Sequence, residues 1–261
     1  MVIVNVSVIR GKKLFYILLS GFTISLSIFI IKTHKQNLEQ EVYSKIKGQS
    51  NYIYNIEKTD EQNVVLSESI IKLQELQKIN SDIVASIEIK GTNINYPVLQ
   101  GEDNSYYMTH NYKKQKSKDG AIFLDKDYDW YLPSTNLLIY GHNNIGSLEM
   151  FSQLVKYKKE SFYKKHKIIN FTTNEEEAKY QIISVFLARV YYKHEKNVFR
   201  YYYFINANNK QGFDNYINNC KKASLYKIKE TATYGDELMT LSTCEYSRLN
   251  GRLVVVAKKV K

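Results

Sequence analysis

Three side chains with complementary chemistry lie next to apolar runs of the sequence. Cys244 ends the run TLSTC, His142 ends NLLIYGH, and Arg252 opens RLVVVA. A thiolate can attack a carbonyl carbon, an imidazole can protonate the leaving amine, and a guanidinium can stabilise the oxyanion. Nearby cations also lower the pKa of a thiol. If the runs are strands whose ends meet at one rim of a sheet, these residues form a cysteine acyl-transfer site.

Each of the three residues also has an ordinary structural interpretation. A cysteine is more often a small buried hydrophobe than a nucleophile, and a lone histidine is usually a surface or hydrogen-bonded residue. Cys220 and Cys244 could instead form a disulfide in an oxidising compartment, and Arg252 could be an exposed strand residue. The two cysteines and five histidines have no close ligand spacing, so neither a metal nor another cofactor is expected.

The elements that must position these residues are mostly strands. Short apolar runs typical of strands begin at Ile83 and continue to the end of the chain, at 83–89, 94–100, 121–125, 136–142, 179–192, 237–244 and 252–260. Apolar spacing predicts helices over 64–79 and 147–166, with another within 212–226. Few helices and no alternation of strand and helix favour a mostly antiparallel sheet or barrel.

An uncharged stretch precedes this region. Residues 14–31 read LFYILLSGFTISLSIFII, close to the ~20 residues that span a bilayer. Arg10, Lys12 and Lys13 precede it, which favours an uncleaved signal-anchor with its N-terminus inside the cell. A cleaved signal peptide is the alternative, but the first Ala is Ala85 and a good cleavage site is missing. We therefore expect a cytoplasmic N-terminus over 1–13, an anchor over 14–31, a stalk over 32–62 and an extracytoplasmic domain over 63–261.

Composition excludes several classes of protein. Two cysteines in 261 residues exclude a disulfide-dense scaffold and a four-thiolate zinc site. The 37 Lys and Arg against 26 Asp and Glu give a net charge of +11. Most of that charge falls on 63–261, outside the predicted anchor, where nucleic acid is not an expected partner. A polyanionic envelope or the anionic membrane face suits it better, although a merely solvated Lys-rich surface explains it as well.

The TLSTC motif, the later Arg252 and the upstream strand ending in GH resemble the sortase family of membrane-anchored cysteine transpeptidases. The resemblance runs from about Ile83 to the C-terminus. It implies a mainly β (α+β) fold, an eight-stranded sortase β-barrel with N-terminal helices and a helix inserted before the strand leading to the Cys. It also implies that Cys244 is the nucleophile, His142 the general acid/base and Arg252 the oxyanion and substrate-positioning group. Arg248 lies nearby, but Arg252 opens the strand that the family's Arg opens.

Three segments resemble class B sortases in particular: the helix at 64–79, the insertion over 193–234, and GEDNSYYMTHN at 101–111. The last resembles the stretch that helps line the groove for the sorting signal. By this resemblance six residues contact the sorting peptide: Asn104, Met108, Tyr140, Ser242, Thr243 and Glu245. No acidic partner of His142 is assigned, and Asp236 is the one candidate named for that role.

The resemblance also implies a reaction. The thiolate attacks the Thr carbonyl of a C-terminal sorting motif, of the NPxTN type or of a PxTG type preceded by Ser, Asn or Pro. A thioester forms, and an amine of peptidoglycan or its lipid-linked precursor then takes the surface protein. Two alternatives stay open here: a pilin-polymerising sortase with a Lys acceptor, and a non-catalytic membrane-tethered binding module with a structural Cys.

Overall fold

The computed structural model describes residues 26–27 and 66–260. Its helices are α1 (Glu68–Ile79), α2 (Tyr106–Thr109), α3 (Glu160–Lys165) and α4 (Lys210–Ala223), with 3₁₀ helices at Ser152–Lys158 and Tyr201–Tyr203. Its strands are β1 (Ile83–Glu88), β2 (Asn95–Leu99), β3 (Ile122–Leu124), β4 (Asn136–Tyr140), β5 (Ile168–Thr172), β6 (Glu177–Arg189), β7 (Leu238–Cys244) and β8 (Gly251–Val260).

The eight strands form a closed barrel in the order β1-β2-β3-β4-β7-β8-β6-β5. The pairs β2–β3 and β4–β7 are parallel, and the other neighbours are antiparallel. The predicted eight-stranded barrel with few helices is therefore confirmed. Pro97 lies opposite Ser86 of β1, at a position of β2 that β3 does not reach, because β3 pairs only with Val98 and Leu99.

Strand β7 and the first part of β8 are buried on both faces because both faces are covered. Val254 and Val256 join a buried cluster with Phe213 and Tyr216 of α4, which lies outside the barrel. Leu253 and Val255 alternate with them and are fully buried on the opposite face, inside the barrel. Covering on both sides explains why the run after Arg252 reads as a continuous apolar segment.

Helix α1 begins at its N-cap, where the Ser67 side chain accepts a hydrogen bond from the amide of Ile70. Its apolar spacing predicts the buried face that the structure has, with Ile70, Leu73 and Leu76 buried. The predicted helix over 64–79 is thus present as Glu68–Ile79.

The single helix predicted over 147–166 is wrong. Met150 has a φ of +50°, a left-handed conformation that a right-handed helix cannot contain. Lys159 is extended and separates the 3₁₀ helix Ser152–Lys158 from α3. The apolar side chains at 151, 154 and 157 are buried, but the backbone that places them is a 3₁₀ helix and its N-cap, not an α-helix.

The two cysteines are separate free thiols, so the disulfide alternative is not realised. Cys220 is fully buried in α4, and burial raises the pKa of its thiol. The predicted anchor at 14–31 lies outside the described residues except for Leu26 and Ser27. Within the described part, no helix is long and apolar enough to cross a membrane.

Candidate active site

The barrel brings the ends of three strands to one rim. Parallel β4 and β7 pair Tyr140 with Ser242, so both chains leave the sheet at the same end, toward His142 and Cys244. Antiparallel β7 and β8 pair Cys244 directly with Arg252. The three residues that the sequence singles out therefore come from three adjacent strands and meet at this rim.

These residues line a cleft of about 250 Å³. Its wall includes the following side chains: Asn104, Met108, Phe123, Tyr140, His142, Val190, Tyr201, Tyr202, Ser242, Thr243, Cys244 and Arg252. The cleft is mostly apolar with a few polar groups and the reactive residues at one place, as is usual for a peptide or small-molecule site. Among the described residues, no group of three or more His, Cys, Asp or Glu could hold a metal ion.

One hydrogen bond orients the half-buried His142. Its Nε2 lies 2.7 Å from the carbonyl oxygen of Met108. Because a carbonyl oxygen only accepts, Nε2 carries a hydrogen, and Nδ1 is the nitrogen left for proton transfer. Gly120, at φ +57°, makes this packing possible, since a Cβ there would lie 2.6 Å from the Tyr107 carbonyl and 2.8 Å from that of Met108.

Cys244 is partly exposed, and a neighbouring amide holds its backbone. The buried Asn143 donates from Nδ2 to the carbonyl of Cys244 over 2.8 Å. Tyr246 donates in turn to the carbonyl of Asn143, so the loops that follow β4 and β7 are tied together. Sequence reasoning missed Asn143, which holds the backbone of Cys244, and its position directly after His142 was the available signal.

Arg252 has a positive charge without a carboxylate beside it. Its Nη1 donates to the Gly251 carbonyl at 2.8 Å, and within the described part of the chain it forms no ion pair. Arg248 is exposed and does not line the cleft. The guanidinium that faces the cleft is therefore that of Arg252.

Five of the six residues predicted to contact a sorting peptide line the cleft: Asn104, Met108, Tyr140, Ser242 and Thr243. Glu245 does not. Its carboxylate is buried, forms an ion pair with Lys158 and accepts hydrogen bonds from Ser247. It therefore joins a 3₁₀ helix to the loop after Cys244, a packing role that the neighbouring Cys obscured in the sequence.

Asp236, the candidate acidic partner of His142, also has other hydrogen-bond partners. It caps the turn at Thr233 and lies 3.5 Å from the Nζ of Lys258. It precedes β7, whereas Cys244 ends that strand, and seven residues of strand extend roughly 20 Å. The polar partner of His142 is instead a backbone carbonyl.

Two aromatic residues of the 193–234 insertion line the cleft and were not predicted as site residues. The hydroxyl of Tyr201 lies 2.7 Å from the Oγ of Ser242, and Tyr202 is beside it. Burial raises the pKa of Tyr201 to about 12, while the hydrogen bond to Ser242 and the charge of Arg252 oppose that rise. Tyr201 remains a neutral phenol that holds a groove side chain.

The chain matches known proteins over most of its length. Residues 87–260 match the model of the sortase domain. Sortase B of Staphylococcus aureus (strain NCTC 8325 / PS 47) is 36% identical over 192 residues, which cover 73% of this chain and 75% of that protein. Sortase B of Listeria monocytogenes (serovar 1/2a, strain ATCC BAA-679 / EGD-e) is 30% identical over 259 residues, covering 96% of each chain.

A solved structure agrees with these relatives. The complex of Staphylococcus aureus sortase B with a substrate superimposes with a TM-score of 0.64 at 34% identity, over 74% of this chain and 86% of that one.

Proposed function

The chain belongs to the sortase family of cysteine transpeptidases and is a class B sortase, and we propose that Cys244, His142 and Arg252 perform its reaction. The observation that carries the assignment is the meeting of these three residues in one cleft. Each has a neighbour that holds it: the carbonyl of Met108 for His142, the amide of Asn143 for Cys244 and the carbonyl of Gly251 for Arg252.

In the first half of the reaction, the Cys244 thiolate attacks the carbonyl carbon of the Thr residue in the sorting signal. Arg252 stabilises the oxyanion, and Nδ1 of protonated His142 gives its proton to the leaving amine. The peptide C–N bond breaks, a thioester forms, and the C-terminal fragment leaves.

In the second half, an amine attacks the thioester carbonyl, and neutral His142 takes the proton that the amine loses. The C–S bond breaks and Cys244 leaves as thiolate, which restores the starting protonation states. Water in place of the amine gives hydrolysis. No metal or cofactor takes part in these steps.

Sortases act on proteins that carry a sorting signal and on acceptors of the cell wall. For this chain we infer a motif of the NPxTN type, or a PxTG type preceded by Ser, Asn or Pro. The inferred acceptor is an amine of peptidoglycan or its precursor. Asn104, Met108, Tyr140, Ser242 and Thr243 are the inferred contacts to the peptide. We further propose that residues 14–31 anchor the enzyme in the cell membrane with the catalytic domain outside.

The test compares cleavage and ligation of sorting peptides by the wild-type protein and by Cys244→Ala. Wild-type protein should cleave one of a panel of pentapeptides after Thr, and mass spectrometry should detect a ligated product when a glycyl amine is supplied. Cys244→Ala should form neither product. Cys220→Ala is the matched control, since Cys220 is fully buried in α4 and lies outside the cleft, and it should retain cleavage.

Cleavage by Cys244→Ala at the wild-type rate would contradict the assignment of the nucleophile. The acceptor is decided separately. Ligation only to a peptide with an internal Lys side chain would overturn wall anchoring in favour of pilin polymerisation.

A further inference from the structure

A buried carboxylate stands behind two of the inferred peptide-binding side chains. Asp125 follows β3 and is 4% exposed. One of its oxygens, Oδ2, accepts from the Nδ2 of Asn104 at 2.9 Å and from the hydroxyl of Tyr140 at 2.9 Å. Asn104 and Tyr140 line the cleft, and Asp125 does not.

The rest of Asp125 is fixed by the barrel. Its amide donates to the carbonyl of Leu138 in β4 at 2.8 Å, and its Oδ1 accepts from the amide of Asp127 at 3.0 Å. The carboxylate therefore reaches the cleft wall from a rigid position. Within the described part of the chain it forms no ion pair, so its interactions at this wall are with neutral groups.

An ionised carboxylate can only accept hydrogen bonds, and this determines the polarity of both partners. Asn104 must turn its Nδ2 toward Asp125, and its Oδ1 accepts from the amide of Lys126 at 2.8 Å. Tyr140 must donate its hydroxyl hydrogen inward, which leaves its oxygen lone pairs for other partners. Burial, and then the charge of Asp125 and the hydrogen bond to it, raise the pKa of Tyr140, so the phenol stays protonated.

We propose that Asp125 is a positioning residue that sets which hydrogen-bond donors and acceptors the groove presents to the sorting peptide. The second N–H of Asn104 is the donor, and the oxygen of Tyr140 is the acceptor. This inference rests on the proposed function, because it concerns how the same cleft reads its peptide. Asp125 touches neither Cys244 nor His142, so it acts on binding and not on the chemical step.

Asp125→Asn is the informative variant, because it keeps the size of the side chain and replaces one acceptor oxygen with a donor. The backbone amide of Asp127 can only donate, so the remaining oxygen of residue 125 stays opposite it and the new amide nitrogen takes the place of Oδ2. Asn104 and Tyr140 must then accept instead of donate, or lose the hydrogen bond. We expect kcat/KM for the sorting peptide to fall about ten- to a hundredfold, mainly through a higher KM. The matched control is Asp127→Asn, an exposed carboxylate paired with Lys126, which should stay within about twofold of wild type.

Two readouts separate positioning from a merely structural role. The rate at which iodoacetamide alkylates Cys244 should be unchanged in Asp125→Asn, since the thiol and His142 keep their surroundings. In the Asn104→Ala/Tyr140→Phe background, Asp125→Asn should cost little further activity, because the groups it positions are gone. Slower alkylation in step with cleavage, or a full additive loss in that background, would overturn the proposal.

A second variant tests the same inference if Asp125→Asn alone does not fold. Asn104→Asp puts two carboxylates against each other and should raise KM, and adding Asp125→Asn should recover part of the loss by restoring a carboxylate–amide pair. A double variant no better than Asn104→Asp would count against the inference.

One measurement does not depend on catalysis. The side-chain amide resonance of Asn104, assigned by its absence in Asn104→Ala, should shift in Asp125→Asn and not in Asp127→Asn. A wild-type enzyme that cleaves no sorting peptide contradicts the proposed function alone, and this resonance then decides the role of Asp125. An unmoved resonance refutes the positioning role whatever the activity.

Discussion

At the scale of single residues, the proposed oxyanion contact depends on a guanidinium that forms no ion pair within the described part of the chain. Arg252 is held by the carbonyl of Gly251 and pairs in register with Cys244. A planar guanidinium offers several fixed N–H groups to an oxyanion, whereas an ammonium offers a compact, rotating charge. The position thus calls for the shape of Arg as well as its charge.

Arg252→Lys should therefore lower kcat/KM for a sorting peptide by about 10²–10³-fold, the usual cost of losing an oxyanion donor. Steady-state cleavage assays measure this. Arg248→Lys is the control: it changes an exposed side chain outside the cleft and should leave activity within about twofold. A wild-type rate in Arg252→Lys would mean that positive charge alone suffices at this position, and an equal loss in Arg248→Lys would contradict the assignment of the oxyanion contact to Arg252.

Sequence reasoning identified the residues that we propose to react and missed those that hold them. Cys244, His142 and Arg252 are identifiable because each stands at the end of an apolar run. Asp125 and Tyr201 are not, because their partners Tyr140 and Ser242 lie 15 and 41 residues away along the chain. Such contacts follow from the closure of the barrel, which no local pattern specifies. The ion pair of Glu245 could not be predicted for the same reason, since its partner Lys158 is far away in sequence.

At the scale of elements, seven of the eight strands coincide with predicted runs, whereas β5 lies outside all of them. Strand β8 has a continuous apolar run because the barrel interior and α4 cover it from both sides. The region 147–166 has apolar residues at helical spacing, yet the left-handed Met150 and extended Lys159 divide it. The spacing reports which residues are buried but does not distinguish an α-helix from two short turns.

The 3₁₀ helix in that region is joined to the catalytic rim by the Lys158–Glu245 pair. Burial alone would raise the pKa of Glu245, but hydrogen bonds from Lys158 and Ser247 and the charge of Lys158 lower it overall. The folded-state pKa thus lies below the unfolded value of about 4.3. The ion pair stabilises the fold above that pH, and the contribution is lost as pH falls through the folded pKa.

We expect Glu245→Gln to lower Tm by roughly 2–4 °C at pH 7 and to differ less from wild type as the pH falls below about 4. Melting curves of both proteins across that range give the difference. Glu160→Gln, which breaks an exposed pair with Lys164, is the control and should change Tm little at any pH. A difference between wild type and Glu245→Gln that grows toward acid would reverse the sign of the argument.

At the scale of the whole molecule, the two cysteines report on which side of the membrane the barrel lies. The chain has only Cys220 and Cys244. Cys220 is fully buried on the inner face of α4, whereas Cys244 is partly exposed and lines an open cleft. A thiol reagent in solution therefore has one accessible target in the folded protein. The uncharged 14–31 segment with Arg10, Lys12 and Lys13 before it predicts that this target is outside the cell.

A charged maleimide that cannot cross a bilayer should label the full-length protein on intact cells as completely as after lysis. The physical reason is that the reagent's charge excludes it from the hydrocarbon core, so only thiols outside are modified. Gel-shift or mass analysis of the purified protein measures the labelled fraction. Cys244→Ala should take no label in either condition, which assigns the signal to the cleft. Labelling of wild type that requires lysis would reverse the proposed orientation.

A chain lacking residues 1–31 that still sediments with membranes would show that 14–31 is not the anchor.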